Sequence, residues 1–347
     1  MVAAAILGTA PVSKAAILNW DSDGATTGAQ GGTGTWTTNS GTNWWNTANV
    51  VWPAVAGTDD DAVFGGTAGT VTIAAGGVTA NDITFNTTGY TLSGGTLTLN
   101  GTTPTLTAGS GITATISSVI AGSAGLTKAG AGTLTLNGSA ANTFTGGITV
   151  SGGILDLNFA NFTAATNLIA SGNSLTINGG TFRMAGRASA VTAQTLSGTT
   201  FGNGYSVVNL VQSSSTSSTL NLGTVTASSG SVVFFNTSTA LGPAASTTEM
   251  IKVSNSVSVA GNALGTWAIG GGAPNTNAAR WVTVDTGGVL RLVTANTTIG
   301  TNWATVNSQT QIYTTSGSVI LTTNPLAQGM QNAASTGTIT ANLKRRP

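Results

Sequence analysis

A seven-residue repeat constrains the fold of this chain more than any other feature. The letters Gly-Thr-Leu-Thr-Leu-Asn-Gly occur at residues 95–101 and again at 132–138. Leu and Thr alternate in both copies, and a period of two is the pattern of a β-strand with one apolar face. One such strand cannot bury its apolar face alone, whereas stacked copies bury it together. The repeat therefore predicts a β-solenoid in which the leucines point inward and the threonines outward.

Glycine-bounded segments with the same alternation extend over much of the chain. They occur at residues 146–150, 152–158, 174–180 and 287–292. Glycine allows the positive-φ corners that a coiled chain needs, and outward Thr and Asn side chains can pair between neighbouring coils. If about 200 residues form coils of about 22 residues each, the solenoid has roughly nine turns. We therefore expect an all-β parallel β-helix, with a β-sandwich or barrel as the alternative.

The composition removes several classes of function. The chain has 347 residues, no His and no Cys, and its ten basic and nine acidic residues leave a net charge of +1. Without His and Cys it has no Ser-His-Asp triad, thiolate nucleophile, zinc site or disulfide. A charge near zero disfavours nucleic acid as a partner. No apolar run reaches the ~18 residues of a membrane-spanning helix.

The distribution of aromatic residues predicts four segments. An apolar N-terminal strand or signal-peptide remnant precedes a cap that is rich in Trp and Asp. The solenoid repeats follow, and Trp then reappears in a closing module that ends in a basic tail. In this order the segments are residues 1–16, 17–65, 66–264 and 265–347.

Most of the tryptophans lie in the predicted cap. Five of the eight are found there, namely Trp20, Trp36, Trp44, Trp45 and Trp52. Their rings could cover the open end of the β-structure, which is the interpretation we favour. The alternative is an aromatic platform on which sugar rings stack. Both interpretations are compatible with the sequence.

A cluster of acidic residues at the end of the cap is a candidate metal site. Asp59, Asp60 and Asp61 are adjacent, and Asp82 follows about one coil later. Adjacent carboxylates repel one another unless they are solvated or bind a cation, and Ca²⁺ accepts carboxylate ligands in flexible geometry. A solvated turn is the interpretation we favour, with a calcium site as the alternative.

Residues 130–158 closely resemble the autotransporter-associated β-strand repeat, which pairs a G-T-L-T-L half with an N-T-Y-T-G-G-T half. Phe144 stands where Tyr is usual, and Ile148 where Thr is usual. The resemblance implies a right-handed parallel β-helix that is secreted or displayed on a bacterial surface. Proteins with this repeat are mostly adhesin-like or structural passengers, and the repeat supplies no catalytic residues.

The acidic residues argue against a polysaccharide-cleaving enzyme. Between Ala62 and Glu249 the only acids are Asp82 and Asp156. They lie several coils apart, so they cannot flank one glycosidic bond. Arg183 and Arg187 are expected to be solvated. We therefore predict a protein without enzymatic activity.

The two ends of the chain carry opposite charge. Residues 1–82 contain six acids and one base, whereas residues 252–347 contain one acid and six bases, among them Lys344, Arg345 and Arg346. Opposite ends attract, and a heterologous contact that does not close generates a filament. The leading hypothesis is an extracellular structural protein that assembles head to tail with copies of itself. The alternative is a surface adhesin that binds glycans through the Trp cluster.

Overall fold

The computed structural model describes residues 15–53, 60–188, 190–212, 217–238, 249–254, 268–271, 280–284 and 290–292. These residues form short strands and one 3-10 helix, Phe159–Asn161. The strands are β1 Ile17–Trp20, β2 Gly34–Trp36, β3 Trp44–Trp45, β4 Asn49–Val50, β5 Asp61–Phe64, β6 Thr70–Ile73, β7 Val78–Ala80, β8 Ile83–Phe85, β9 Tyr90–Gly94, β10 Leu97–Leu99, β11 Thr105–Ala108, β12 Thr113–Ile116, β13 Ile120–Ala121, β14 Leu126–Ala129, β15 Thr133–Leu136, β16 Ile148–Val150, β17 Ile154–Asn158, β18 Ser174–Ile177, β19 Thr181–Ala185, β20 Thr192–Thr195, β21 Gly198–Phe201, β22 Gly204–Val211, β23 Ser218–Asn221, β24 Thr224–Ala227, β25 Ser231–Thr237, β26 Glu249–Lys252, β27 Ala268–Gly271, β28 Arg280–Val284 and β29 Leu290–Leu292.

The chain winds as a parallel β-helix with three faces. Successive strands such as β5, β6 and β7 go to three different sheets, and β8, β9 and β10 then pair with them in parallel one coil later. The first sheet has 11 strands and the second has 12. Two separate three-stranded sheets, β7–β10–β13 and β20–β23–β26, form the third face. The prediction of an all-β parallel β-helix is confirmed.

The length of a coil can be measured from the register of the first sheet. Ala62 pairs with Ile83, 21 residues later, and Ile148 pairs with Leu175, 27 residues later. The strands β1, β5, β8, β11, β14, β16, β18, β21 and β24 stack in parallel, and seven of these nine strands lie within the range 66–264 for which roughly nine coils were expected. The parallel stack begins at β1, inside the range predicted for the cap.

The alternation of the repeat separates the core from the surface as predicted. Leu97 and Leu99 of β10, and Leu134 and Leu136 of β15, are all buried, whereas the threonines between them are partly exposed. The two copies nevertheless lie on different faces, because β10 belongs to the third face and β15 to the second sheet. The pattern therefore determines which side of a strand is inward, but not which face the strand occupies.

Threonines form a continuous column on the outside of the first sheet. Thr105, Thr127, Thr149, Thr176 and Thr200 are paired in register along successive coils, and Thr226 continues the column. The hydroxyls of Thr200 and Thr226 are 3.0 Å apart. The expected pairing of outward threonines is confirmed.

Antiparallel pairs occur near both ends of the stack. At the N-terminal end, β3 pairs with β1 and with β4 in antiparallel orientation. Towards the C-terminal end, β27 joins the second sheet in parallel, and β28 and β29 follow in antiparallel orientation. Such pairs cover sheet edges that would otherwise template further strands. Within the described residues, no helix is long and apolar enough to cross a membrane.

Candidate functional site

The tryptophans of the cap form one aromatic cluster in the interior of the first coils. The ring centroids of Trp36 lie 4.9 Å from those of Trp44 and 4.8 Å from those of Trp52, while Trp20 lies 5.2 Å from Trp44. Phe64 packs against Trp36 and Trp44 at 5.7 Å. These five rings are buried, so they close the end of the core.

Burial limits what these rings can bind. Trp20, Trp36, Trp44 and Trp52 are at most 1% exposed, so a sugar cannot stack on them in this structure. Trp45 is the half-buried member of the predicted platform, and it lies in β3 at the edge of the first sheet. Any stacking of sugars on the predicted platform would therefore depend on Trp45.

The predicted metal ligands lie at the starts of neighbouring strands. Asp60 Oδ1 accepts a hydrogen bond from the Ala16 amide at 2.9 Å, and Asp61 Oδ1 accepts one from the Asp82 amide at 3.1 Å. Asp82 Oδ1 in turn accepts the Thr105 amide at 2.7 Å. Burial raises the pKa of Asp82, and the nearby Asp61 carboxylate raises it further.

These hydrogen bonds give the carboxylates a structural role between coils. Each of the three described acids engages one oxygen with a backbone amide of another segment. In the described part of the chain, no three acidic side chains gather into a group that could hold a metal ion. Asp59 lies outside the described residues, as do Lys344, Arg345 and Arg346 of the predicted basic tail.

A groove of about 740 Å³ lies between the cap and the third face. Trp52 donates its indole N–H to the Thr79 carbonyl at 3.0 Å, which holds the cap against the edge strand β7. None of the described residues that line the groove is charged. Its walls carry hydroxyl and amide groups from the cap and from two coils of the third face, including Thr37, Thr38, Asn39, Ser40, Thr96 and Thr98.

Buried amides bridge the gap in the third face. Asn142 is 4% exposed, and its Oδ1 accepts the Ile120 amide at 2.8 Å while its Nδ2 donates to the Leu168 carbonyl at 3.1 Å. Gln194 lies two coils further on, where it accepts a hydrogen bond from the Ile169 amide and donates one to the Ile169 carbonyl. These side chains satisfy backbone groups where strands are missing, as buried polar groups require.

The repeat region also buries a lysine. Lys128 is fully buried in β14, and its ammonium donates to the carbonyls of Ala129 at 2.7 Å, Gly130 at 2.8 Å and Gly152 at 3.3 Å. Burial lowers the pKa of Lys128 from 10.5 to about 8. The side chain thereby ties the corner of one coil to the corner of the next.

The glycines of the repeat lie where neighbouring coils touch. Gly153 has φ of +59°, and a Cβ on it would collide with the carbonyl oxygen of Gly132 in the coil below. A Cβ on Gly146 would collide with the Gly125 amide. Phe144 fills the interior between these corners and is fully buried. The N-T-F-T-G-G letters therefore combine a backbone-mimicking amide, a core ring and a close contact between coils.

The arginines predicted to be solvated make specific contacts. Arg183 Nη1 forms an ion pair with Asp156 Oδ2 at 2.6 Å across adjacent coils of the second sheet. Arg187 donates from its guanidinium to the carbonyls of Phe162 and Thr163 at 2.9 and 3.1 Å. Both side chains remain partly exposed, and the coil stacking also places carbonyl and carboxylate oxygens next to them.

The fold and the motif can be compared with known proteins. The central coils of the parallel β-helix carry a buried Asn, a core aromatic ring and paired glycines, and this pattern is similar to a passenger-type repeat. The family described as passenger-associated-transport-repeat matches residues 126–157, which contain β14 to β16 and most of β17. The resemblance drawn from the sequence is therefore confirmed.

A curated relative matches about half of the chain. The chain is 43% identical over 172 residues to the adhesin BmaC autotransporter of Brucella suis biovar 1 (strain 1330). The match covers 46% of this chain and 5% of that much longer protein. No solved structure matches the chain. Both matches are to surface passengers, and the predicted extracellular or cell-surface location is confirmed.

Sequence reasoning missed several of the residues that define this region. Lys128 lies at an inward position that follows the inward Leu126, so a polar residue in an apolar position was the available signal there. In β20 both inward residues, Thr192 and Gln194, are polar, so the alternation gave no signal for Gln194. Asn142 and the glycines were recognised as motif letters, but their contacts depend on the neighbouring coil. No local pattern reveals that neighbour.

Proposed function

We propose that this chain is a non-enzymatic part of a bacterial surface adhesin, in which the β-helix acts as a rigid passenger. The observation that carries the proposal is the three-faced parallel stack with the passenger repeat in its central coils. The relative from Brucella is described as an adhesin, which supports the same role here. The separation of Asp82 from Asp156, which pairs with Arg183, supports the absence of glycosidase chemistry.

The adhesive surface in this proposal is the groove beside the cap. Its lining of hydroxyl and amide groups without charge suits a neutral glycan, which is recognised by hydrogen bonds. Trp52 lies at the floor of the groove, and its hydrogen bond to Thr79 fixes the position of the cap relative to the third face. The half-buried ring of Trp45 is a second candidate contact for a sugar.

Binding to an array of neutral glycans tests this proposal. Thr38 is exposed in the groove, and Thr38→Trp would fill it. Thr226→Trp is the matched control, because Thr226 is exposed on the first sheet far along the stack. We expect Thr38→Trp to lose binding and Thr226→Trp to keep it. Equal binding by both variants, or binding by neither them nor the parent, would contradict the proposal.

Head-to-tail assembly is a second proposal, and it rests on the opposite charges of the chain ends. The acids Asp60, Asp61 and Asp82 all lie in the first coils of the stack, which supports an acidic front. The antiparallel pairs near both ends weigh against it, because they cover strand edges. Light scattering at low and high salt is the test. Particles that grow at low salt and dissociate at high salt support assembly, whereas monomers throughout exclude it.

A further inference from the structure

The end of β1 holds a carboxylate in an unusual state. Asp21 directly follows the buried Trp20 and is itself 0% exposed. Neither of its carboxylate oxygens has a hydrogen-bond partner among the described residues. A buried carboxylate without a partner is expensive, because the charge has lost its hydration and gained nothing in exchange. This arrangement points to a missing positive partner.

A second carboxylate faces the first across a tight loop. Asp23 lies two residues later, and it is held by hydrogen bonds from the Thr26 hydroxyl and from the amides of Ala25 and Thr26, both at 3.0 Å. These bonds lower the pKa of Asp23 to about 2, so this group is ionised at neutral pH. Burial raises the pKa of Asp21, and the charge of Asp23 raises it further.

The surrounding groups supply no cation of their own. No Lys or Arg lies between residues 15 and 127, so no basic side chain from these coils can neutralise the pair. The amides of Gln30 and Asp23 face the Asp21 carboxylate and lower its pKa, but neither makes a hydrogen bond of ordinary geometry. Among the described residues no cation balances Asp21, which leaves a bound ion or a proton for this role.

We infer that Asp21 and Asp23 form a Ca²⁺ site that fixes the cap to the first coil. Calcium takes carboxylate and carbonyl oxygens in flexible geometry, and alternate acidic residues followed by glycine suit such a loop. Here the order is Asp21, Ser22, Asp23 and Gly24, and Gly24 has φ of +59°. The site differs from the Asp59–Asp82 candidate, whose described carboxylates already accept amides. It is also independent of the ligand that the groove binds.

Calcium at this position would stabilise the aromatic cluster. Trp20 donates its indole N–H to the Gly32 carbonyl at 2.8 Å, and Gly31 pairs with Asp21 across the same loop. A cation on Asp21 would therefore hold both ends of the loop next to a buried ring. Because Trp20 also packs on Trp44, tryptophan fluorescence should report binding.

Thermal unfolding of the full chain, after removal of metals with a chelator, tests the inference. We expect added CaCl₂ to raise the melting temperature and change the tryptophan fluorescence, with an affinity of about 10⁻⁴–10⁻³ M, as in extracellular modules. MgCl₂ at the same concentration should have less effect, because Mg²⁺ demands a stricter octahedral geometry. No response of the parent protein to CaCl₂ would overturn the inference.

Three variants locate the site. Asp21→Asn and Asp23→Asn should each abolish the response to calcium, and metal-free Asp21→Asn should melt above the metal-free parent because it lacks the buried charge. Asp23 is exposed, so its variant remains informative if Asp21→Asn fails to fold. Asp82→Asn is the matched control and should keep the response. Loss of the response in Asp82→Asn, with retention in Asp23→Asn, would overturn the assignment.

Discussion

The cap and the central repeat are two regions of one stack that satisfy their interiors in different ways. In the cap, the side chains of Trp20, Trp36, Trp44 and Trp52 fill the core with rings that contact one another. In the repeat, residues 126–157, the core is aliphatic apart from Phe144. The polar side chains of Lys128 and Asn142 are buried there among backbone carbonyls and amides. The first region lies at the N-terminal end of the described stack, and the second lies within it.

The difference teaches that the two regions depend on different forces. In the first described coils β3 folds back on β1, and large rings bury much apolar surface there with few residues. A central coil has neighbours on both sides and must keep its backbone groups paired even where a strand is missing. The cap is therefore most sensitive to lost volume, and the repeat to lost hydrogen bonds.

The largest expected effect comes from removing a ring of the cap. Trp36 touches three other rings of the cluster, so Trp36→Ala should lower the free energy of unfolding by about 3–5 kcal/mol. Urea denaturation followed by circular dichroism measures this change. Trp45→Ala is the control, because this half-buried ring lies at the edge of the first sheet and should matter less. Equal losses in both variants would contradict the importance of ring packing.

Removal of the buried amide in the repeat should have the next largest effect. Asn142→Ala leaves the Ile120 amide and the Leu168 carbonyl unpaired, and we expect a loss of about 2–4 kcal/mol. Hydrogen exchange should show the Ile120 amide becoming less protected. The exposed Asn161, which bonds Asn137, is the control, and Asn161→Ala should cost little. If Asn142→Ala matches this control, the bridging role is wrong.

Replacing a glycine at a contact between coils should cause the third largest loss of stability. Gly153→Ala places a methyl group against the Gly132 carbonyl and requires φ of +59°, so we expect a loss of about 1–3 kcal/mol. Gly76 has nothing within 4 Å of an added Cβ, which makes Gly76→Ala the matched control. Thermal melting of the two variants separates steric contact from a general effect of alanine. Similar melting temperatures would argue against the contact.

The last expected effect is a pH dependence of the free energy of unfolding that originates at Lys128. Its pKa is about 8 in the folded chain and 10.5 ordinarily, so between these values the unfolded chain binds more protons. The free energy of unfolding should therefore rise as the pH increases from about 8 to 10.5, and stay at its lower level below pH 8. Lys128→Met should remove this rise. If the free energy of unfolding changes with pH in the same way in the parent and the variant, Lys128 is not the origin of the pH dependence.

Much of the fold could be predicted from the sequence because its unit is local. The alternation of Leu and Thr identifies which side chains of β10 and β15 are inward, and glycines mark the corners. The face that each strand occupies could not be predicted, because identical letters at residues 95–101 and 132–138 lie on different faces. The face that a strand occupies depends on the number of residues in the turns that precede it.

The candidate sites were predicted less well, because they depend on neighbours in other coils. The Trp-rich segment was predicted to be a cap. The packing of rings that buries Trp44 could not be predicted, because it follows from β3 folding back on β1. Asp21 appeared in the sequence as one acid among several. Its burial could not be predicted, because it depends on the pairing of Asp21 with Gly31 across the loop.

The burial of Lys128 has a consequence for digestion of the protein. From residue 15 to residue 182 it is the only Lys or Arg in the chain. Its strand is hydrogen-bonded on both sides, to β11 and to β16. Trypsin-like proteases cut after basic residues and need an accessible, extended backbone. More than half of the described β-helix therefore offers such an enzyme a single cleavage point, and the lysine at that point is buried in a strand that is paired on both sides.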